Sequence, residues 1–189
     1  MSSRQRALAS LALMFACSLT VASATPSGAA TPTPPEYQVK GAYLFNFIRL
    51  VEWPLQGVPG GWALPVCVLG DSPIAGALES MAGSPVRGRR LVVRRIDSIS
   101  DGKACPVLFI PDSAGRDIDT MLKALSGSVL TVSEVNTDDR LDSVINFVVE
   151  NERVGFDVNV EAATRARLSL SARLLSVARS VDGRKRRRD

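Results

Sequence analysis

Short apolar runs alternate with helix-like segments along most of the chain. Continuous apolar runs, typical of parallel strands buried on both faces, occur at residues 65–70, 105–110 and 129–134. A further run, at residues 89–96, carries a pair of arginines near each end. Helical spacing or helix-start residues occupy several of the segments between these runs. Strands that alternate with helices in this way predict a single layered α/β domain with a mainly parallel β-sheet flanked by helices.

Two helices are predicted in the first half of the chain. One covers residues 36–52 and should end at Trp53-Pro54, because proline disfavours helical geometry in the residue before it. The other begins in GDSPIAGALESMAG, with Asp71 or Ser72 as the N-cap and Pro73 in the first helical position. The buried stripe of the first helix is predicted from apolar residues at three- or four-residue steps: Val39, Tyr43, Phe47 and Leu50.

The C-terminal third predicts an antiparallel hairpin near the C-terminus. Its two apolar runs are separated by Asn151-Glu152, and Phe156, Val158 and Val160 alternate with polar residues in the second run. Residues 161–179 then predict one or two short helices that close the fold.

The N-terminus has the arrangement of a cleavable signal peptide over residues 1–24. Arg4 and Arg6 precede an apolar run, which ends in Ala22-Ser23-Ala24. An uncleaved membrane anchor is the weaker interpretation, because the run is about 16 residues long and a membrane span needs about 20. We therefore expect an exported protein.

Composition defines the remaining boundaries of the chain. Residues 25–36 are rich in Pro and Thr and predict a linker, residues 37–181 form the predicted domain, and residues 182–189 form a basic C-terminal tail. The net charge of +4 comes from the leader and the tail, and the folded part has a net charge of about −2. A nucleic-acid-binding function therefore has little support.

The chain has no histidine, which removes the usual base of a serine or cysteine triad and the commonest nitrogen ligand of zinc. We expect no metal, no cofactor, and no catalytic triad or thiol catalysis. Acidic pairs provide the only motive for a hydrolase, and they are better interpreted as a solvated helix face and a turn. These pairs are Asp117 with Asp119 and Asp138 with Asp139.

Four arginines frame the run at residues 89–96: Arg89, Arg90, Arg94 and Arg95. They are interpreted as charges at a strand edge or end that discourage pairing between sheets, in preference to an anion pocket.

Two cysteines, Cys67 and Cys105, remain outside the leader and lie at the start of two predicted strands. In an exported domain two thiols are usually joined, and neighbouring strands would bring them within disulfide range. Two buried, reduced cysteines that act as small hydrophobic side chains remain the alternative.

Several segments, in this order and spacing, resemble the YfiR family of exported proteins over residues 37–180. They are GAYLFNFIRLVEWP (Gly41–Pro54), VCVLGDSP (Val66–Pro73), CPVLFI (Cys105–Ile110), VLTVSE (Val129–Glu134), and INFVVENERVGFDVNVEAA with LSLSARLLSVA (Ile145–Ala178).

The resemblance implies a non-enzymatic periplasmic regulator. Such proteins bind the periplasmic sensor domain of an inner-membrane diguanylate cyclase, YfiN, and hold it inactive, which lowers cyclic di-GMP and biofilm formation. An OmpA-like outer-membrane lipoprotein, YfiB, sequesters the repressor, and the family tends to form homodimers. A periplasmic small-molecule-binding module that signals to a membrane sensor protein is the alternative function.

The resemblance also places Cys67 and Cys105 where family members carry a redox-responsive pair. Members with four cysteines hold a second pair in the region corresponding to residues 139–148, and this chain has none there. The hairpin and final helices are the predicted partner-binding region, with four residues singled out: Phe147, Phe156, Asp157 and Asn159.

Overall fold

The computed structural model describes residues 34–54, 61–114, 120, 122–123, 125, 127–134, 142–181 and 184–185. The helices in these ranges are α1 (Pro35–Leu50), α2 (Ile74–Glu79), α3 (Val160–Arg165) and α4 (Ala172–Val177), with 3-10 helices at Ile99–Ala104 and Asp112–Ala114. The strands are β1 (Val51–Glu52), β2 (Ala63–Leu69), β3 (Pro85–Val86), β4 (Arg89–Ile96), β5 (Val107–Ile110), β6 (Leu130–Ser133), β7 (Ile145–Glu150), β8 (Arg153–Val158), β9 (Ser169–Leu170), β10 (Ser180–Val181) and β11 (Arg184–Lys185).

Within the described residues, nine strands form one sheet in the order β11-β10-β8-β7-β6-β5-β2-β4-β3. Strands β4, β2, β5, β6 and β7 are parallel neighbours, and β7 pairs with β8 in an antiparallel hairpin. The predicted mixed α/β class, mainly parallel sheet and C-terminal hairpin are confirmed. The order reverses at β2, since the chain places β4 on one side of it and β5 on the other.

Two apolar cores lie on opposite faces of this sheet. Leu64, Val66 and Val68 of β2 belong to the larger core, together with side chains of α1 and α2. Cys67 and Leu69 belong to the smaller core. Because successive side chains of a strand point to opposite faces, one continuous apolar run supplies both cores. We call the two sides of the sheet the α1 face and the disulfide face.

Helix α1 differs from its prediction at the C-terminus and in its buried stripe. It ends at Leu50, because Val51 and Glu52 pair with β9 as a short strand. Val39 is 45% exposed, so its predicted place in the buried stripe is wrong. Phe47 is buried as predicted, and Tyr43 and Leu50 are half-buried. The other buried residues lie on a neighbouring line along the helix: Lys40, Gly41, Leu44 and Ile48.

The β7–β8 hairpin turns at Asn151 and Glu152, as predicted from the sequence. Both residues have positive φ angles, 50° and 61°, the backbone conformation of the tight turn that joins twisted antiparallel strands. Strand β8 ends at Val158, so Val160 is not a strand residue as predicted but begins α3.

The ends of the domain extend slightly beyond the predicted boundaries. Pro35, predicted as linker, lies in the first turn of α1 together with Glu36, the residue at which the helix was predicted to begin. Arg184 and Lys185, predicted as part of the basic tail, pair with β10 as β11. The predicted signal peptide and residues 25–33 of the linker lie outside the described residues. The sequence SAGRDIDTMLKALSG predicts a helix over residues 113–127, and most of that segment also lies outside them.

Candidate functional site

A disulfide joins Cys67, in the middle of β2, to Cys105, two residues before β5. The two Cα atoms are 6.0 Å apart, within the range that a disulfide requires. Strands β2 and β5 are parallel neighbours, with Val66 opposite Val107. Of the two interpretations open from the sequence, the structure therefore contains the bridged one.

The bridge is buried, since Cys67 is 0% exposed and Cys105 is 2% exposed. A Cβ atom added at Gly102, three residues before Cys105, would lie 2.9 Å from Leu108 Cδ2, so the surroundings are tightly packed. A reductant therefore reaches the sulfurs only after local opening of the fold. The other buried members of this core are Leu69, Ile99, Leu108, Ile110, Leu122 and Val129.

Two of the residues predicted to bind a partner lie in the larger core. Phe147 and Phe156 face each other across the hairpin, and each is 1% exposed. Their ring centroids lie 5.6 Å and 4.7 Å from that of Phe47 in α1, and both rings also contact Tyr43. These rings attach the hairpin to α1 and present no surface to a partner in this fold, which corrects their predicted role.

The other two predicted contacts, Asp157 and Asn159, are half-buried and have structural partners. The guanidinium of Arg179 donates from Nε to Asp157 Oδ1 at 2.8 Å, from Nη2 to Asp157 Oδ2, and from Nη1 to Glu150. The hydrogen bond to Asp157 is the main reason that the pKa of Arg179 is raised. Asn159 Oδ1 accepts a hydrogen bond from the Ala162 N–H at 2.8 Å and so caps α3.

A buried ion pair connects α1 to the carboxyl end of β6. Lys40 Nζ donates to Glu134 Oε2 at 2.6 Å and lies 2.5 Å from Glu36 Oε1. The Tyr37 hydroxyl donates to Glu134 Oε1 at 3.3 Å. The side chains of Lys40 and Glu134 are each 5% exposed, whereas that of Glu36 is 43% exposed. We call these four residues the Lys40 cluster.

The Lys40 cluster keeps its lysine charged. Burial alone would lower the pKa of Lys40, but hydrogen bonds to Glu134 and Glu36 and the attraction of their carboxylates outweigh burial and raise it. Burial and the nearby Glu134 carboxylate raise the pKa of Tyr37, so its hydroxyl remains a donor at neutral pH. The cluster therefore holds a charged lysine and a neutral phenol at neutral pH.

Comparison with known families identifies the family of this chain. A family model described as YfiR/HmsC-like (DUF4154) matches residues 37–179. The chain belongs to the YfiR/HmsC-like family. The matched range contains both cysteines and the ion pairs of Lys40 with Glu134 and of Arg179 with Asp157.

The YfiR/HmsC-like family is a family of periplasmic regulators of cyclic di-GMP signalling and not a catalytic one. Within the part of the chain that the structure describes, no group of three or more potential metal ligands occurs. The acidic pairs that motivated a hydrolase lie outside that part. No helix within the described ranges combines the length and the apolar character that a membrane crossing requires.

The Lys40 cluster was missed from the sequence, although this YfiR/HmsC-like chain carries a signal for it. Leu44, Phe47 and Ile48 follow Lys40 at steps of four, seven and eight residues, which places the lysine on the buried stripe of α1. A lysine in that position calls for a buried acid. The sequence alone gives no indication that the acid is Glu134, which is 94 residues away.

Proposed function

We propose that the chain is a non-enzymatic periplasmic repressor. In this proposal it is exported by its signal peptide, binds the periplasmic sensor domain of a YfiN-like inner-membrane diguanylate cyclase and holds that enzyme inactive. The observation that carries the proposal is the YfiR/HmsC-like match over residues 37–179. The repressor needs only to prefer the inactive state of the cyclase, and a few kcal/mol of differential binding is sufficient.

The proposal is tested by deleting the gene and measuring cyclic di-GMP and biofilm. We expect both to rise in the deletion strain and to return to the parental level when the gene is restored. Unchanged cyclic di-GMP after deletion contradicts the proposal. In a direct assay, the purified chain should bind the purified periplasmic domain of a diguanylate cyclase encoded beside it and should not bind the cytoplasmic catalytic domain.

Asp157 and Asn159 remain the proposed partner contacts on the hairpin side. Asn159 offers a clean test, because serine is also a good helix N-cap. Asn159→Ser should leave the thermal midpoint close to that of the wild type and weaken binding to the cyclase domain if the side chain touches the partner. Equal binding by Asn159→Ser and the wild type removes Asn159 from the interface. Asn159→Ala is the matched variant, in which the cap is lost as well.

Redox control of repression is proposed for the Cys67–Cys105 bridge. Reduction would loosen the smaller core between β2 and β5 and so weaken the folded, binding-competent state. Binding of the cyclase domain, measured before and after full reduction, tests the redox element, and equal affinity in the two states contradicts it.

The proposal also includes sequestration by a YfiB-like outer-membrane lipoprotein and a homodimer as the repressor form.

A small-molecule-binding module that signals to a membrane sensor protein is the second candidate. It is favoured by the sheet order, because ligands of open α/β sheets bind where the strand order reverses, here between β2 and β5. A thermal-shift screen with a metabolite library separates the two candidates. One tight ligand that controls cyclase binding favours the second, and repression without any ligand favours the first.

A further inference from the structure

Strand β4 leaves most of its outer edge open in the described part of the chain. Strand β3 pairs only with Arg89 and Arg90, and the backbone of Leu91 then bonds to Ser84 and Gly83. No strand of the described ranges pairs with the outer side of residues 92–96. An open strand edge of this kind is a template for an added strand.

The register of β4 identifies the backbone groups that face outward. The Arg90 N–H bonds to the Trp62 carbonyl on the β2 side, and the Ile96 carbonyl accepts from Gly70 on that side. Because backbone groups alternate along a strand, the even-numbered residues of β4 pair with β2. Val93 and Arg95 therefore direct their N–H and C=O groups outward, where no partner occurs among the described residues.

The same edge is strongly basic. Strand β4 has the sequence RRLVVRRI, with four arginines and no acidic residue. Arg90 and Arg94 are exposed and lie on the disulfide face, together with Ile96. Neither arginine forms an ion pair with another described residue. Arg95 contacts Glu79 at 3.3 Å, but both side chains are more than half exposed, so this pair is weak.

We propose that the outer edge of β4 binds an extended, acidic segment of another protein as an added strand. The outward groups of Val93 and Arg95 supply the backbone hydrogen bonds, and an acidic side chain of the added strand lies beside Arg94. A second copy of this chain does not fit, because pairing two such edges brings arginines opposite arginines. The arginines thus exclude self-pairing and select an acidic strand.

This docking edge is independent of the proposed repressor function, since it rests only on the geometry and charge of β4. Its partner is identified by chemistry alone, as an extended segment with an acidic residue opposite Arg94.

The test uses the purified chain, labelled with nitrogen-15, and short peptides of alternating glutamate and threonine. We expect the glutamate peptide to shift the amide signals of Val93 and Arg95 and to slow their hydrogen exchange. A peptide in which lysine replaces every glutamate should do neither. Absence of binding by the glutamate peptide, or shifts confined to other strands, overturns the proposal.

Charge and backbone are tested separately with matched variants. Arg94→Glu should weaken peptide binding about tenfold or more, because attraction becomes repulsion at this position. Arg173→Glu, at an exposed arginine of α4, should leave binding unchanged. Equal weakening by both changes would indicate general charge attraction and overturn the edge assignment.

Arg95→Pro removes the outward N–H while retaining the pairing of β4 with β2, because proline is tolerated at edge-strand positions whose N–H faces solvent. We expect Arg95→Pro to abolish the Val93 amide shifts and Arg95→Ala to retain them. Thermal midpoints of both variants verify the fold. Full peptide binding by a folded Arg95→Pro variant contradicts strand addition. If the wild-type chain forms a dimer that dissociates in the Arg94→Glu variant, the exclusion of self-pairing is contradicted.

Discussion

Lys40 carries a charged side chain that is almost completely buried. Its ammonium group is held by Glu134 and Glu36, and its stem lies among apolar residues of the α1 stripe. Removing one partner of a buried pair leaves the other charge uncompensated, which costs more than the pair itself contributes. The Lys40 cluster therefore makes the docking of α1 on the sheet sensitive to one substitution.

Lys40→Met should destabilise the fold by about 3 kcal/mol, because Glu134 loses its cation while it stays buried. The measurement is the free energy of unfolding from urea denaturation. Lys103→Met, at an exposed lysine of the 3-10 helix, is the matched control and should change stability by less than about 0.5 kcal/mol. Adding Glu134→Leu to Lys40→Met should restore much of the lost free energy of unfolding. If the destabilising effects of the two substitutions simply add, the two side chains are not energetically coupled.

The same variant has a defined pH dependence. Because the pKa of Lys40 is raised in the folded state, its contribution is fully present below the unfolded pKa and is lost as the pH rises through the folded one. The stability gap between the wild type and Lys40→Met should therefore be constant near neutral pH and narrow above about pH 10.

At the scale of elements, the contact between α1 and α2 depends on a missing side chain. A Cβ atom at Gly41 would lie 3.0 Å from Ala77 Cβ and 3.2 Å from Met81 Cε, closer than ordinary van der Waals contact. Any side chain at position 41 would therefore require Ala77 or Met81 to move by a few tenths of an ångström. Gly41 is helical, so its role is close approach and not an unusual backbone angle.

Gly41→Leu should destabilise the fold by about 2 kcal/mol through overpacking between α1 and α2. Ala42→Leu is the matched control, because it adds a leucine to the exposed side of the same helix and should be nearly neutral. Thermal unfolding of the two variants gives the comparison. A Gly41→Leu variant as stable as Ala42→Leu would show that α2 moves aside without cost.

Local sequence signals were sufficient to predict most helices and strands, but not the contacts that each of them makes with distant parts of the chain. Strand β4 occupies the predicted residues 89–96, and the hairpin turn falls at Asn151 and Glu152. The end of α1 was predicted two residues too late, because the pairing of Val51 with Leu170 depends on a strand far along the chain. The stripe of α1 was misassigned for a similar reason, since the acid that accommodates Lys40 lies at the end of β6.

For the molecule as a whole, the Cys67–Cys105 disulfide is a covalent cross-link between two strands of the sheet region. It closes a loop between residues 38 positions apart, which contains α2, β3 and β4. The loop includes the proposed docking edge, so loss of the bridge affects both the smaller core and the position of β4.

Cys67→Ala combined with Cys105→Ala should lower the free energy of unfolding by up to about 4 kcal/mol, the loop-closure value for this separation. The measurement is urea denaturation of the oxidised wild type, the reduced wild type and the double variant. The last two should agree within about 1 kcal/mol. Non-reducing mass spectrometry should find a Cys67–Cys105 crosslink in exported protein, and free thiols at both positions would contradict the bridge.

By itself, the sequence determined the fold class, the hairpin turn and the candidate pair of cysteines, because these follow from local periodicity, turn chemistry and the scarcity of cysteine. Only the tertiary structure decided that β2 and β5 are neighbours, that Phe147 and Phe156 serve the core, and that Lys40 meets Glu134. The physical reason is that burial and pairing are properties of contacts between distant residues, and one sequence specifies those contacts only through the whole fold.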